Sequence, residues 1–196
     1  MATKLLWLSL LILNLLLHTS STVGSETAAT DFIKSSCKET RYQVACVKTL
    51  SGYGSKIGKS EQALTSAALS ASVSKIVSCV SSLKEMEKAK ELKARELKAV
   101  RDCIENMNYS VDSLNRSVKE LDLLGNPKGK DSRLHVSNVQ SWVSAAITDQ
   151  DTCIGSITDA SFKSSIKHKL LDASHVTTNA LALVNRLASN YHTQTP

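Results

Sequence analysis

The chain has 196 residues, 42% hydrophobic, 21% charged and only 4% aromatic, with 7 Gly and 2 Pro. So few breakers and aromatics argue against a β-sandwich or barrel, which needs turn signals about every 8–12 residues, and the length suits one domain. The formal net charge is +6, and the cysteines number 5.

Residues 1–25 read as a secretory signal peptide. Lys4 supplies the positive start, Leu5–Leu17 is apolar except for Ser9 and Asn14, and Val23-Gly24-Ser25 offers small residues for cleavage after Ser25. The apolar run falls short of the roughly 20 residues needed to span a bilayer. No second long apolar run and no terminal lipidation motif is evident, so the expectation is an exported, soluble product with no membrane partner. Loss of the leader removes Lys4 and no acid, which leaves a net charge of +5. All the cysteines survive, and in an exported protein they read as a disulfide framework with one thiol left over.

Residues 26–196 then form the folded unit. Cys37 and Cys46 stand nine positions apart. One helix would separate them by about 13.5 Å, whereas a disulfide needs Cα atoms within about 7 Å. If they pair, the chain folds back near Thr40–Gln43, making a hairpin arm over about residues 28–58. Ser51–Ser55 and Gly58 mark a loop.

Residues 60–124 hold no Gly or Pro. Leu69, Val73, Ile76, Val77, Val80 and Leu83 recur at helical spacing, and Leu97, Val100, Ile104, Met107, Val111, Leu114, Val118 and Leu121 form a second stripe. Between them Lys84–Lys93 is crowded with charge, and a reversal is expected near Lys88–Lys93. Gly125–Gly129 is the clearest break in the chain. A third helix follows, with Val136, Val139, Val143, Ala146 and Ile147 on one face and Gly155 as its end. Thr158 or Asp159 would cap a fourth, whose stripe runs Ile166, Leu170, Val176, Ala180, Leu183, Val184 and Leu187. The expected fold is all-α: an antiparallel up-and-down four-helix bundle over about residues 60–192, preceded by the hairpin arm.

Antiparallel helices joined by a tight turn put residues level when their numbers average to the turn. Cys103 and Cys153 satisfy this for the Gly125–Gly129 break, and Cys79 and Cys103 satisfy it for the reversal near residue 91, so geometry leaves both pairings open. On a helical wheel Cys79 lies about 90° from the centre of its own stripe, which suits a half-buried free thiol acting as a small hydrophobe.

The sequence lacks HExxH, GxSxG, P-loop and dinucleotide signatures, so no enzyme activity and no cofactor is expected. His135, His168, His175 and His192 have no ligand set at metal spacing. The basic run from Lys84 to Arg101 is interleaved with Glu85, Glu87, Glu91 and Glu96, a solvated face rather than a nucleic-acid site. Function must therefore come from a surface. Ser141, Ala145, Thr148 and Thr152 fall within about 60° of one another, nearly opposite the apolar stripe of the third helix. Glu105 and Asp112 share the outward side of the second. Asn108 and Asn115 open two N-glycosylation sequons about 60° from that acidic pair.

These segments closely resemble the plant invertase and pectin methylesterase inhibitor family. The resemblance is carried by Phe32–Cys37 with Thr40-Arg41-Tyr42 and Cys46, by Arg101–Glu105 with Ser110-Val111-Asp112, by Asn138–Thr148 running into Asp151-Thr152-Cys153, and by Ser174-His175 with Asn179–Asn185. It implies a helical hairpin on a four-helix bundle, with Cys37–Cys46 and Cys103–Cys153 bonded and Cys79 free. The family's usual unpaired cysteine lies nearer the C-terminus, so this chain departs from the pattern there. Pectin methylesterase inhibitors of the family lay bundle helices over the enzyme's substrate cleft in a 1:1 complex. By position the contacts here would be Glu105, Asp112, Thr148 and Thr152, with Asp149 beside them.

Invertase inhibitors of the family use Pro-Lys-Phe between the second and third bundle helices. Here Pro127-Lys128 is followed by Gly129, without the Phe. The reading favoured is thus a secreted, non-enzymatic pectin methylesterase inhibitor of the cell wall (apoplast), weakly held on anionic pectin. An acid invertase inhibitor is the alternative. A module like a pectin methylesterase pro-region is the remaining one, and it would need a catalytic domain beyond Pro196.

Overall fold

The computed structural model of the chain describes residues 28–88, 92–124, 132–157 and 164–193. The leader, the Gly125–Gly129 break with Pro127 and Lys128, and the caps expected at Thr158 and Asp159 lie outside the described residues, as does the side chain of His192. All the regular structure described is helical: α1 (28–37), α2 (Gln43–Leu50), a 3-10 turn (Ser51–Tyr53), α3 (Gly54–Ile57), α4 (Glu61–Glu87), α5 (Ala94–Leu123), α6 (Ser132–Ser156) and α7 (Ser164–Thr193).

The arm folds back where the sequence requires it. The Thr40 hydroxyl donates to the Cys37 carbonyl at 2.8 Å, and the Cys37–Cys46 disulfide closes the turn with Cα atoms 5.7 Å apart. Ile33, Leu50 and Ile57 then reach the common core. Gly58 has φ of 54°, a left-handed turn that a side chain would strain. Ser60 caps α4 by accepting from the Ala63 N–H at 3.2 Å. At the start of α5, the Glu96 carboxylate accepts from the Lys93 N–H at 2.9 Å.

Helices α4 to α7 form an antiparallel ring. Glu87 meets Arg101 and Gln62 meets the Leu121 carbonyl between α4 and α5. Cys103 is bonded to Cys153 between α5 and α6, which decides against the Cys79–Cys103 alternative. Gln140 meets Asn185 between α6 and α7, while Lys75 meets Asp172 and Glu61 meets Arg186 between α4 and α7. The short connections implied by the sequence leave this up-and-down order as the simple solution.

The buried seams follow coiled-coil spacing more strictly than the apolar residues alone suggest. On α5 the buried set is Val100, Cys103, Met107, Ser110, Leu114, Ser117 and Leu121, and on α6 it is Val136, Val139, Val143, Ala146, Gln150 and Cys153. Both alternate steps of three and four, which keeps the seam on one side of a gently supercoiled helix. Leu97, Ile104, Val111 and Val118, expected in the α5 stripe, flank the seam half-buried. Gln150 is fully buried and donates to both Ser110 and Thr177, at 2.8 and 3.2 Å. Ser110 in turn donates to the Ala146 carbonyl at 3.0 Å. Three helices thus share one polar layer at mid-bundle.

Three expectations are corrected. Val77 is 47% exposed rather than part of the α4 stripe. The buried side of α4 also takes in Thr65, Ala68 and Ser72, which moves its centre to within about 50° of Cys79, so Cys79 is fully buried rather than half-buried, and it is not in a disulfide. Gly155 sits in the last turn of α6 rather than ending it. In addition, α4 has the length of a membrane span, and an 18-residue stretch within it reaches a mean hydropathy of 1.4, although no second apolar run was expected. Alternating Ser with Ala, Val and Ile gives α4 this character. The hydroxyls of Thr65, Ser72, Ser81 and Ser82 donate to carbonyls of the preceding turn, and the buried side packs in the ring.

Burial pushes the Cys79 thiol up to about 11, with Asp172 adding to the shift and Lys169 and Lys75 opposing it. The native protein should therefore show no reaction with a thiol reagent at neutral pH over minutes, and one thiol per chain should react once it is unfolded. Fast labelling of the native state would show that α4 and α7 open locally.

Candidate functional site

Two helices built as heptad seams present their opposite faces to solvent. On α5 the outward face carries Glu105, Tyr109 and Asp112, spanning about 60° around the helix, and all three are exposed. On α6 the outward face carries Ser141, Ala145, Thr148 and Thr152, again all exposed. The Cys103–Cys153 bond and the Ser110–Ala146 hydrogen bond set the register. That register puts Thr148 level with Asn108, and Thr152 level with the turn before Glu105. The expected acids and threonines therefore stand side by side on one surface, with Asp112 further along it, level with Ser144.

The α6 stripe is smoother than its composition suggests. The hydroxyls of Ser141, Thr148 and Thr152 donate to carbonyls one turn earlier, at 3.0, 3.2 and 2.8 Å. Their donors are already satisfied, so an approaching body meets Cβ and methyl surface and needs to strip little hydration.

The acid side is more structured. Tyr109 donates its hydroxyl to Glu105 Oε1 at 2.7 Å. That bond, and then the Glu105 charge, hold the phenol above its usual range, with Asp149 adding from across the helix pair. Asp149 itself is half-buried, and burial raises its carboxyl above the ordinary value. Asp149 thus sits at the α5/α6 seam rather than on the open stripe.

Sequence reasoning missed Tyr109, which is 54% exposed at the centre of this face. It stood in the sequence only as the middle of a sequon. Its spacing of four from Glu105 is the signal that places both on one face. Asn108 and Asn115 are exposed on the adjoining side of α5.

The far end of the same helix pair is locked by Glu120. It accepts from Asn138 at 2.8 Å and pairs with His135 at 2.8 Å. Those bonds hold its carboxyl below the usual range, with burial opposing. Of the other histidines, His168 is exposed and His175 stacks on Tyr42. No cluster of three or more His, Cys, Asp or Glu at metal-holding distance occurs among the described residues.

Comparison with known proteins places this architecture. The sequence profile described as "Plant invertase/pectin methylesterase inhibitor" matches residues 31–183. Among curated relatives, a "21 kDa protein" of Daucus carota is 38% identical over 172 residues, covering 86% of this chain and 89% of its own. "Pectinesterase inhibitor 11" of Arabidopsis thaliana is 38% identical over 168 residues, covering 83% of each. "Pectinesterase inhibitor 9" of Arabidopsis thaliana is 37% identical over 198 residues, covering 97% of each. Among solved structures, a mutant form of a pectin methylesterase inhibitor from Arabidopsis superposes with a TM-score of 0.63 at 20% identity. That match covers 76% of this chain and 92% of that one, and at such identity it speaks for the fold. Profile, relatives and bundle agree, and the chain belongs to the plant invertase/pectin methylesterase inhibitor family.

Proposed function

We propose that this chain is a secreted inhibitor of pectin methylesterase that binds the enzyme 1:1 across its substrate cleft and so limits de-esterification of pectin in the cell wall. The observation that carries the reading is the exposed α5/α6 face, where the acids Glu105, Asp112 and Asp149 stand beside the smooth Thr148–Thr152 stripe. A cleft shaped for a polyanion presents positive potential, and an acidic face complements it while the small residues permit close approach. The names of the pectinesterase inhibitor relatives support the same target.

Residues 1–25 act as the export signal, residues 28–58 as the arm and residues 60–192 as the inhibitory bundle. Glycans at Asn108 and Asn115 would flank the face without covering the α6 stripe. The test is a titration of the oxidised protein into plant pectin methylesterase and, separately, into acid invertase, at mildly acidic pH. Saturation at one inhibitor per esterase, with invertase untouched, is the expected result. Inhibition of invertase alone would transfer the function to the Pro127-Lys128 loop. Inhibition of neither would leave a module without inhibitory activity.

A further inference from the structure

On the other side of the bundle from the α5/α6 face, the arm and the α4/α7 pair enclose an open cleft of about 900 Å3, within the rough range of 300–1,000 Å3 typical of ligand sites. Its arm wall is held in place. The Cys37–Cys46 bond closes the turn, and Asn179 of α7 grips Tyr42 on both backbone groups, accepting from its N–H at 3.0 Å and donating to its carbonyl at 2.9 Å. The Tyr42 ring stacks on His175 with centroids 3.7 Å apart. The Arg41 guanidinium lies over the same ring at 5.5 Å, so this cation is positioned before any ligand arrives.

The charges lining the cleft are one-sided. Arg41, Lys48 and Lys75 face a single carboxylate, Asp172. Asp172 is already paired with Lys75. Arg41 and Lys48 are exposed and take part in none of the ion pairs of the described residues. Beside them lie the half-buried ring of Tyr53, the 84% exposed Val44, and the hydroxyls of Ser74 and Ser78.

We propose that this cleft binds an unesterified oligouronide, a sugar chain with one carboxylate per ring. The two unpaired cations match its carboxylates, Tyr53 and Val44 match the apolar faces of its pyranose rings, and the serines match its hydroxyls. A small inorganic anion would make no use of the ring and the valine, and a neutral sugar would leave the cations unused. The site goes beyond enzyme inhibition. It lies across the bundle from the proposed enzyme face, so a de-esterified polymer and the esterase can be held at the same time.

The test is a titration of the oxidised protein with tetragalacturonate, followed through the ring resonances of Tyr42 and Tyr53. Saturable shifts confined to the arm, α4 and α7 are expected. Arg41→Gln combined with Lys48→Gln should weaken binding about tenfold. It should leave esterase affinity, measured by calorimetry without pectin, within about twofold. The methyl-esterified tetramer and tetra-aspartate should each bind about tenfold more weakly than the free uronide. Equal binding of tetra-aspartate, an unweakened double variant, or shifts that map to α5 and α6 would each overturn the proposal. Cleft binding is read without enzyme and enzyme binding without sugar, so either reading can fail while the other stands.

Discussion

Thr148→Lys combined with Thr152→Lys is expected to weaken binding to pectin methylesterase on the order of a hundredfold, with helical content and thermal midpoint unchanged. Both residues are exposed on α6, and their only described hydrogen bonds run back to their own helix. Lysine is a better helix former than threonine, so the bundle loses nothing in the exchange. At the interface the change is severe. Two long, strongly hydrated cations replace a surface that can be approached closely, and they add positive charge to a face whose acids are proposed to meet a positive cleft. Calorimetry on the folded double variant checks it. Unchanged affinity would remove the small-residue stripe from the contact and leave Glu105, Tyr109 and Asp112 to carry it alone.

Replacing Cys103 and Cys153 by alanine should cost about 4 kcal/mol of stability, the loop-closure value for a staple of this span, since the two stand 50 residues apart in sequence. The same change at Cys37 and Cys46, only 9 apart, should cost about 2.5 kcal/mol by the same relation. Urea unfolding of both variants measures the difference. The larger loss should come with a steeper denaturant slope, because the unfolded chain without the staple exposes more surface. A loss below about 1 kcal/mol at the first pair would mean that the unfolded chain already holds α5 against α6. Cys103 and Cys153 also set the register of the proposed enzyme face, so this variant should lose inhibition before it loses helicity. The arm variant should not.

Much of this was legible in the residues. The helical periodicity from Leu69 to Leu187 gave the number and order of the bundle helices, because burying one face of each amphipathic helix leaves few arrangements when the connections are short. The reversal near Lys88–Lys93 agrees with the described end of α4 at Glu87 and start of α5 at Ala94. Periodicity misled where an apolar residue had no neighbour to pack on. Val77 looks like core in one dimension and lies in solvent, because none of the described helices or arm residues covers that side of α4. Counting it, and leaving out the small buried Thr65, Ala68 and Ser72, turned the wheel away from Cys79 and made a core thiol look marginal.

The sequence by itself determined an all-helical bundle with an N-terminal arm, its family, and an outward face of acids and small residues on the second and third bundle helices. Those properties are local: spacing along a helix decides which side chains share a face. Only the tertiary structure decided which cysteines meet, that Ser110, Gln150 and Thr177 form a buried polar layer, that Tyr109 stands among the acids beside Asp149, and that Arg41 and Lys48 border a cleft on Tyr42 and His175. Each of these depends on the register and rotation of one helix against another. That is fixed by the packing of the whole core, and no single helix carries it.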